Sequence, residues 1–286
     1  SSWYWPERIE RIVQMVAATD RHTGETCRQM QLDTHSGFVP KLQEALLKGR
    51  LADEIDQAIG TWPETRRTKA QAALALLRDF DGNMRADSNG AALVSVFLDQ
   101  ASRKIFADEL GGMDSEAWKA FLVINNEGYN ATCDHLVVRG DESPFWDDIR
   151  TPAKETKARV LADTLADAVL FLEATLGRDA NKWQWGALHT CAWETDTTQL
   201  APRMGFIQRM GLKALWPYFN RGPYPVPGDH FTLNVSAYTM GRDFDTWLIP
   251  SMRMIVDFSQ EEPMTAVNSS GQSDHPSSPI YADGIQ

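Results

Sequence analysis

The 286-residue chain is short of several features, and each shortage excludes a class of function. No apolar run approaches the roughly 20 residues that a membrane-spanning helix requires, so no membrane partner is expected. Cysteine occurs only at Cys27, Cys133 and Cys191, an odd and scattered set that suits neither a disulfide framework nor a CxxC metal site. Positive charge is in deficit: 28 Lys and Arg stand against 39 Asp and Glu, a formal net charge of −11. Such a surface repels a nucleic-acid backbone, and no nucleic-acid partner is expected. HExxH, Walker A and dinucleotide-binding glycine motifs are missing. So is the GxSxG elbow, since Gly271-Gln272-Ser273 runs into Asp274 and His275. No repeat of fixed period is visible. There is also no initiator Met and no signal-peptide pattern, which leads us to expect a processed or trimmed chain.

What is present is ordinary globular material, 43% hydrophobic and 23% charged, long enough for one large domain or two smaller ones. Pro6 followed by Ile9, Ile12, Val13 and Val16 predicts an amphipathic helix. Further helices are predicted from Thr23 to about residue 33, over 40–47 and 69–77, over 91–110 with Asp87 and Ser88 as caps, over 114–124, up to Gly177 after Thr156, and over 205–219. Residues 125–143 show no period and read as loop, and the prolines of 221–227 read as a turn. Phe231, Leu233 and Val235 alternate with polar residues, as do Met252, Met254, Val256 and Phe258. Both patterns predict half-buried strands.

Three segments near the end resemble the penicillin acylase (penicillin amidase) family. They are Gly228-Asp229 with Thr232 and Asn234, Ser251 with Arg253 and Asp257, and Gly271-Gln272-Ser273 with Ser278 and Tyr281. Asp274 departs from the family's glycine, which puts the backbone of that loop in question. Earlier matches are Arg8-Ile9, then Gln31, Asp33 and Ser36, the turn at Phe80-Asp81-Gly82, Trp146 to Thr156, and Trp183-Gln184-Trp185-Gly186 leading to His189. The resemblance implies an α+β chain. Its mostly helical first half, residues 1–180, would pack on a C-terminal antiparallel sheet in residues 181–286, together one domain and part of an αββα N-terminal-nucleophile hydrolase. It also implies hydrolysis of linear amides, such as β-lactam side chains or acyl-homoserine lactones, through a serine ester, in a periplasmic or secreted enzyme. The family's nucleophile, oxyanion asparagine and most calcium ligands find no counterpart. We therefore expect a fragment, inactive alone, that needs the missing acylase chain or N-terminal half, with no cofactor and no metal. The competing expectation is a non-catalytic, partner-binding relative.

Of the candidate site residues, Arg8 falls on the family's active-site arginine. There a rigid fork of donors can orient a carboxylate or the reacting groups. Its bland alternative is a surface pair with Glu7 or Glu10. Ser1 has an α-amino group that could serve as a base, but Pro6 and a helix follow where a core strand should, so it is not expected to be the nucleophile. His189 and Cys191 could form a nucleophile pair, yet the tryptophans around them predict packed core. Asp147-Asp148 is expected to cap a loop, and Asp81-Gly82-Asn83 lacks the oxygen ligands of a calcium loop. Gln272 and Ser273 are expected to satisfy their own loop.

Overall fold

A computed structural model describes residues 5–127, 130–195, 205–273 and 275–285. Helices come first in chain order: α1 Glu7–Ala17, α2 Gly24–Gln31, α3 Phe38–Leu47, α4 Gly49–Gly60, α5 Glu64–Asp79, α6 Asn89–Phe106, α7 Glu116–Glu127, α8 Ala131–Val137 and α9 Lys157–Leu176. After them come the single turn α10 Trp185–Leu188, strand β1 Thr190–Trp193, α11 Phe206–Phe219, and strands β2 Arg221–Pro225, β3 Met252–Val256 and β4 Met264–Asn268.

The core lies where α9 packs against α4, α5 and α6, with α3 joining through α4, α5 and α8. The long helices α6 and α9 both start on a side-chain cap. Ser88 accepts from the Ala91 N–H, and Thr156 from the Arg159 N–H, satisfying donors that the first turn leaves open. α9 turns Leu161, Leu165, Ala168 and Leu172 inward, as its period requires. On its flank Arg66 of α5 holds Asp163 and Asp167, and Lys69 holds Glu173. The core continues into the last third of the chain through Trp183, Trp185, Phe231, Tyr238, Met240 and Phe244.

The α+β reading holds, with differences in detail. Among the described residues the strands form two separate antiparallel ribbons, β1–β2 and β3–β4, in place of one sheet. Residues 221–225, expected as a turn, form β2; Pro223 interrupts its hydrogen bonding, so the pairing with β1 is irregular. Residues 131–137, expected as loop, form α8, whose Thr132, Asp134 and His135 are buried and hide the apolar period. Residues 230–236 are not a strand; the cause lies in Asp229.

Candidate functional site

The Asp229 carboxylate is buried and fully occupied. Its Oδ1 accepts from the Phe231 and Thr232 N–H groups at 2.7 and 3.0 Å, and its Oδ2 from the Ser36 hydroxyl at 2.7 Å. The Thr232 hydroxyl donates to the Asn234 carbonyl at 2.9 Å. These bonds curl the backbone on itself, where a strand would send its amides outward to a neighbour. Gly228 permits the curl: it has φ +99°, and a Cβ there would sit 2.4 Å from the Asn234 oxygen. Burial pushes the Asp229 carboxyl up to about 6, against the hydrogen bonds that favour its charged form.

The segment containing Gln31, Asp33 and Ser36 ties three elements to this loop. Gln31 donates to the Met254 carbonyl at 2.9 Å, and Asp33 takes Arg11 of α1 through two bonds of 3.0 and 2.7 Å. Ser36 reaches Asp229, as above. On α1 the polar side therefore faces inward. Glu7 is buried and receives Lys41 at 2.9 Å, and Arg11 lies one turn further along the same face. Ile12, Val13 and Val16 point outward and are exposed, and Ile9, also exposed, lines the same cavity as Arg8. The helix is amphipathic as expected, but its apolar side is not the side that docks.

This orientation places Arg8. It is exposed and lines a cavity of about 600 Å³ with Trp5, Asn126, His230, Phe231 and Trp247. The surface pairs considered for it do not form, because Glu7 and Glu10 both turn to Lys41. Opposite, His230 is carried by the Asp229 loop. Apart from an approach to the Tyr238 backbone, neither of its ring nitrogens has a well-formed hydrogen bond, and both are sealed from solvent. Burial, with His189 nearby, lowers His230 to about 4, so the ring is neutral at physiological pH. Asn126 fixes the cavity wall: its Oδ1 accepts from the Met240 N–H at 2.9 Å and its Nδ2 donates to the Leu122 carbonyl at 2.7 Å. Trp5 packs edge-on against Phe38, which stacks on Phe231 with ring centres 4.9 Å apart. A cationic fork, a neutral imidazole and aromatic walls together suit a mostly apolar ligand with one polar group.

Sequence reasoning named Arg8 but missed His230, Arg11 and Lys41. His230 was within reach, since it sits inside the Gly228–Asn234 motif; the other two make contacts across 22 and 34 residues that no local pattern signals.

The remaining candidates are satisfied polar groups. His189 contacts the Phe244 carbonyl through Nδ1 at 2.6 Å and the Ser236 hydroxyl through Nε2 at 2.9 Å. The ring is fully buried against Trp185 at 4.4 Å, and burial lowers it to about 4. Ser236 and His189 thus have dyad geometry, but they form a closed core contact. Burial pushes the Cys191 thiol up to about 11, away from a reactive thiolate. Asp147 and Asp148 diverge, accepting from the Glu155 and Arg150 N–H groups respectively. Asp81 accepts from the Asn83 N–H and binds Arg85, and among the described residues no acid, histidine and cysteine cluster could hold a metal ion. Gln272 and Ser273 bond the Ile280 carbonyl within their loop. A Cβ on Gly271 there would lie 2.3 Å from the Tyr281 oxygen. Ser1 and Asp274 lie outside the described residues.

The family model described as penicillin amidase matches residues 1–286. Acyl-homoserine lactone acylase QuiP of Pseudomonas aeruginosa is 52% identical over 285 residues, covering 100% of this chain and 34% of that protein. The proteins of the same name from Pseudomonas syringae pv. syringae and Pseudomonas fluorescens (strain Pf0-1) are each 41% identical over 100% of this chain, which covers 33% and 32% of their lengths. The chain thus spans about a third of the curated relatives it matches. It belongs to the penicillin amidase family.

Proposed function

We propose that the chain is part of an amidohydrolase that cleaves linear amides of apolar acids, with N-acyl-homoserine lactones as the leading substrate class and β-lactam side-chain amides as the second. The observation that supports this most is Arg8, a guanidinium without an acid partner among the described residues, lining an aromatic cavity opposite His230. The names of the relatives support the choice of substrate.

In this reading Arg8 orients the amide and the group that attacks it, and the aromatic walls exclude water from the reacting bond. None of the described residues lining the cavity is a serine, threonine or cysteine. In this reading the attacking serine of the acyl-transfer reaction belongs to sequence other than residues 1–286, in an acylase chain or N-terminal half that joins this one, and residues 1–286 alone are expected to be inactive. Residues 1–180 and 181–286 act as one unit, without a cofactor, and the enzyme works in the periplasm or is secreted. The test is a panel of N-acyl-homoserine lactones and acyl-anilides, followed by release of free amine. Turnover is expected from a protein that carries this chain within the family's full length. The 286-residue chain alone should give none. Turnover by the chain alone that vanishes in Ser1→Ala would refute the reading.

A further inference from the structure

A second cavity, of about 420 Å³, lies beneath the β3–β4 ribbon and meets the Arg8 cavity at Val235. The register pairs Arg253 with Val267 and Ile255 with Thr265, so the period of two turns these side chains toward α2. Ile255 approaches Gly24 there, its Cγ2 3.7 Å from where a Cβ would stand. Leu32, Val235, Ile249, Ile255 and Val267 make the apolar walls.

Arg253 is the anomaly in this cavity. It is half-buried, it donates through Nη2 to the Asn234 side-chain oxygen, and its Nε is buried without a partner. No carboxylate among the described residues pairs with it. Asp257, four residues on, is taken by the Ser259 hydroxyl and N–H at 2.6 and 3.0 Å, and Arg28, also in the lining, holds Glu25. Arg11, Arg66 and Arg85, which have acid partners, are all shifted upward, whereas burial shifts Arg253 down with nothing to offset it. A buried guanidinium keeps its charge at a cost unless an anion answers it.

We propose that this cavity binds an amphipathic carboxylate, an aliphatic acid of medium length, with its head on Arg253 and its chain along the apolar walls. Charge-assisted hydrogen bonds to the fork select the carboxylate, and because Arg28, the other arginine of the lining, is already held by Glu25, Arg253 alone is left to answer a singly charged anion. The site is separate from the amidase reading, and its test needs no turnover.

Octanoate and its uncharged analogue octanamide would be titrated calorimetrically into the 286-residue chain. Octanoate should bind saturably, and octanamide at least about tenfold more weakly. Arg253→Met should weaken octanoate by about tenfold or more, with Arg253→Lys in between. Asn234→Ala removes the internal bond but leaves the guanidinium, and should retain binding. Three results would overturn the proposal: no saturable binding up to about 10 mM, equal affinity for octanamide, or loss of binding in Asn234→Ala to the extent seen in Arg253→Met while both variants melt like the parent. The last would make Arg253 a clamp for the Asn234 loop and nothing more.

Discussion

α9 and α1 are both amphipathic, and they dock by opposite faces. α9 buries Leu161, Leu165 and Leu172 and, apart from Lys157 at its first turn, keeps its charges off the core, the ordinary arrangement for a core helix. α1 is held from inside by Glu7 to Lys41 and Arg11 to Asp33, and shows Ile9, Ile12, Val13 and Val16 to the outside. β3 repeats the inversion, with Met252, Met254 and Val256 outward and Arg253 inward. A periodic pattern therefore specifies that a segment has two faces, while the partner decides which face docks. For α1 the deciding groups are a buried acid, Glu7, whose burial is tolerable only when it is paired, and a partly exposed base, Arg11, that Asp33 holds.

Mutations can break this contrast. The largest expected effect is Leu161→Ala, a fully buried truncation in α9 that should cost about 2–5 kcal/mol in a urea titration. Next is Lys41→Met, which strands the buried Glu7 carboxylate and should cost about 1–3 kcal/mol; the loss should shrink in Glu7→Gln. The smallest is Val13→Ala, expected within about 0.5 kcal/mol despite removing as regular an apolar position as any in α9. A cost for Val13→Ala near that of Leu161→Ala would mean that the outer face of α1 is covered after all.

Proton linkage sharpens the contrast from the core side. His189 drops from an ordinary 6.5 to about 4 in the fold, so the unfolded chain takes up its proton first as pH falls. Its contribution is complete above 6.5 and lost on descending toward about 4. His230 acts in the same sense. Asp229, raised from 3.8 to about 6, acts oppositely: its contribution is complete below 3.8 and is lost as pH rises through about 6. Thermal melts of His189→Gln between pH 4 and 6.5 should lose part of the acid-side fall in stability. A slope unchanged from the parent would mean that His189 is solvated in the folded chain.

The long helices were legible because local signals agree within one segment: Thr156, the apolar stripe and Gly177 for α9, and Ser88 with the apolar run for α6, which ends at Phe106, short of the end expected at Gly111. The loop at 228–236 was misread because alternation of Phe231, Leu233 and Val235 has the strand period, whereas a buried carboxylate at Asp229 dictates the backbone. That carboxylate's partner, Ser36, lies 193 residues away. The candidate site was half legible. Arg8 stood out through the family resemblance, but the reason it is left without an acid, Lys41 claiming both Glu7 and Glu10, exists only in three dimensions.

The inverted docking of α1 delivers Arg8 to the rim of an aromatic-walled cavity, which we propose takes the amide substrate. The direct test is kcat and KM for an N-acyl-homoserine lactone with Arg8→Leu and Arg8→Lys, made in a protein that carries this chain and turns the substrate over. Loss of one oriented donor where charge develops predicts a fall of about 10²–10³ in rate for Arg8→Leu. Partial recovery is predicted for Arg8→Lys, which keeps the charge but not the planar fork, with melting unchanged in both. Full activity in a folded Arg8→Leu enzyme would contradict the account.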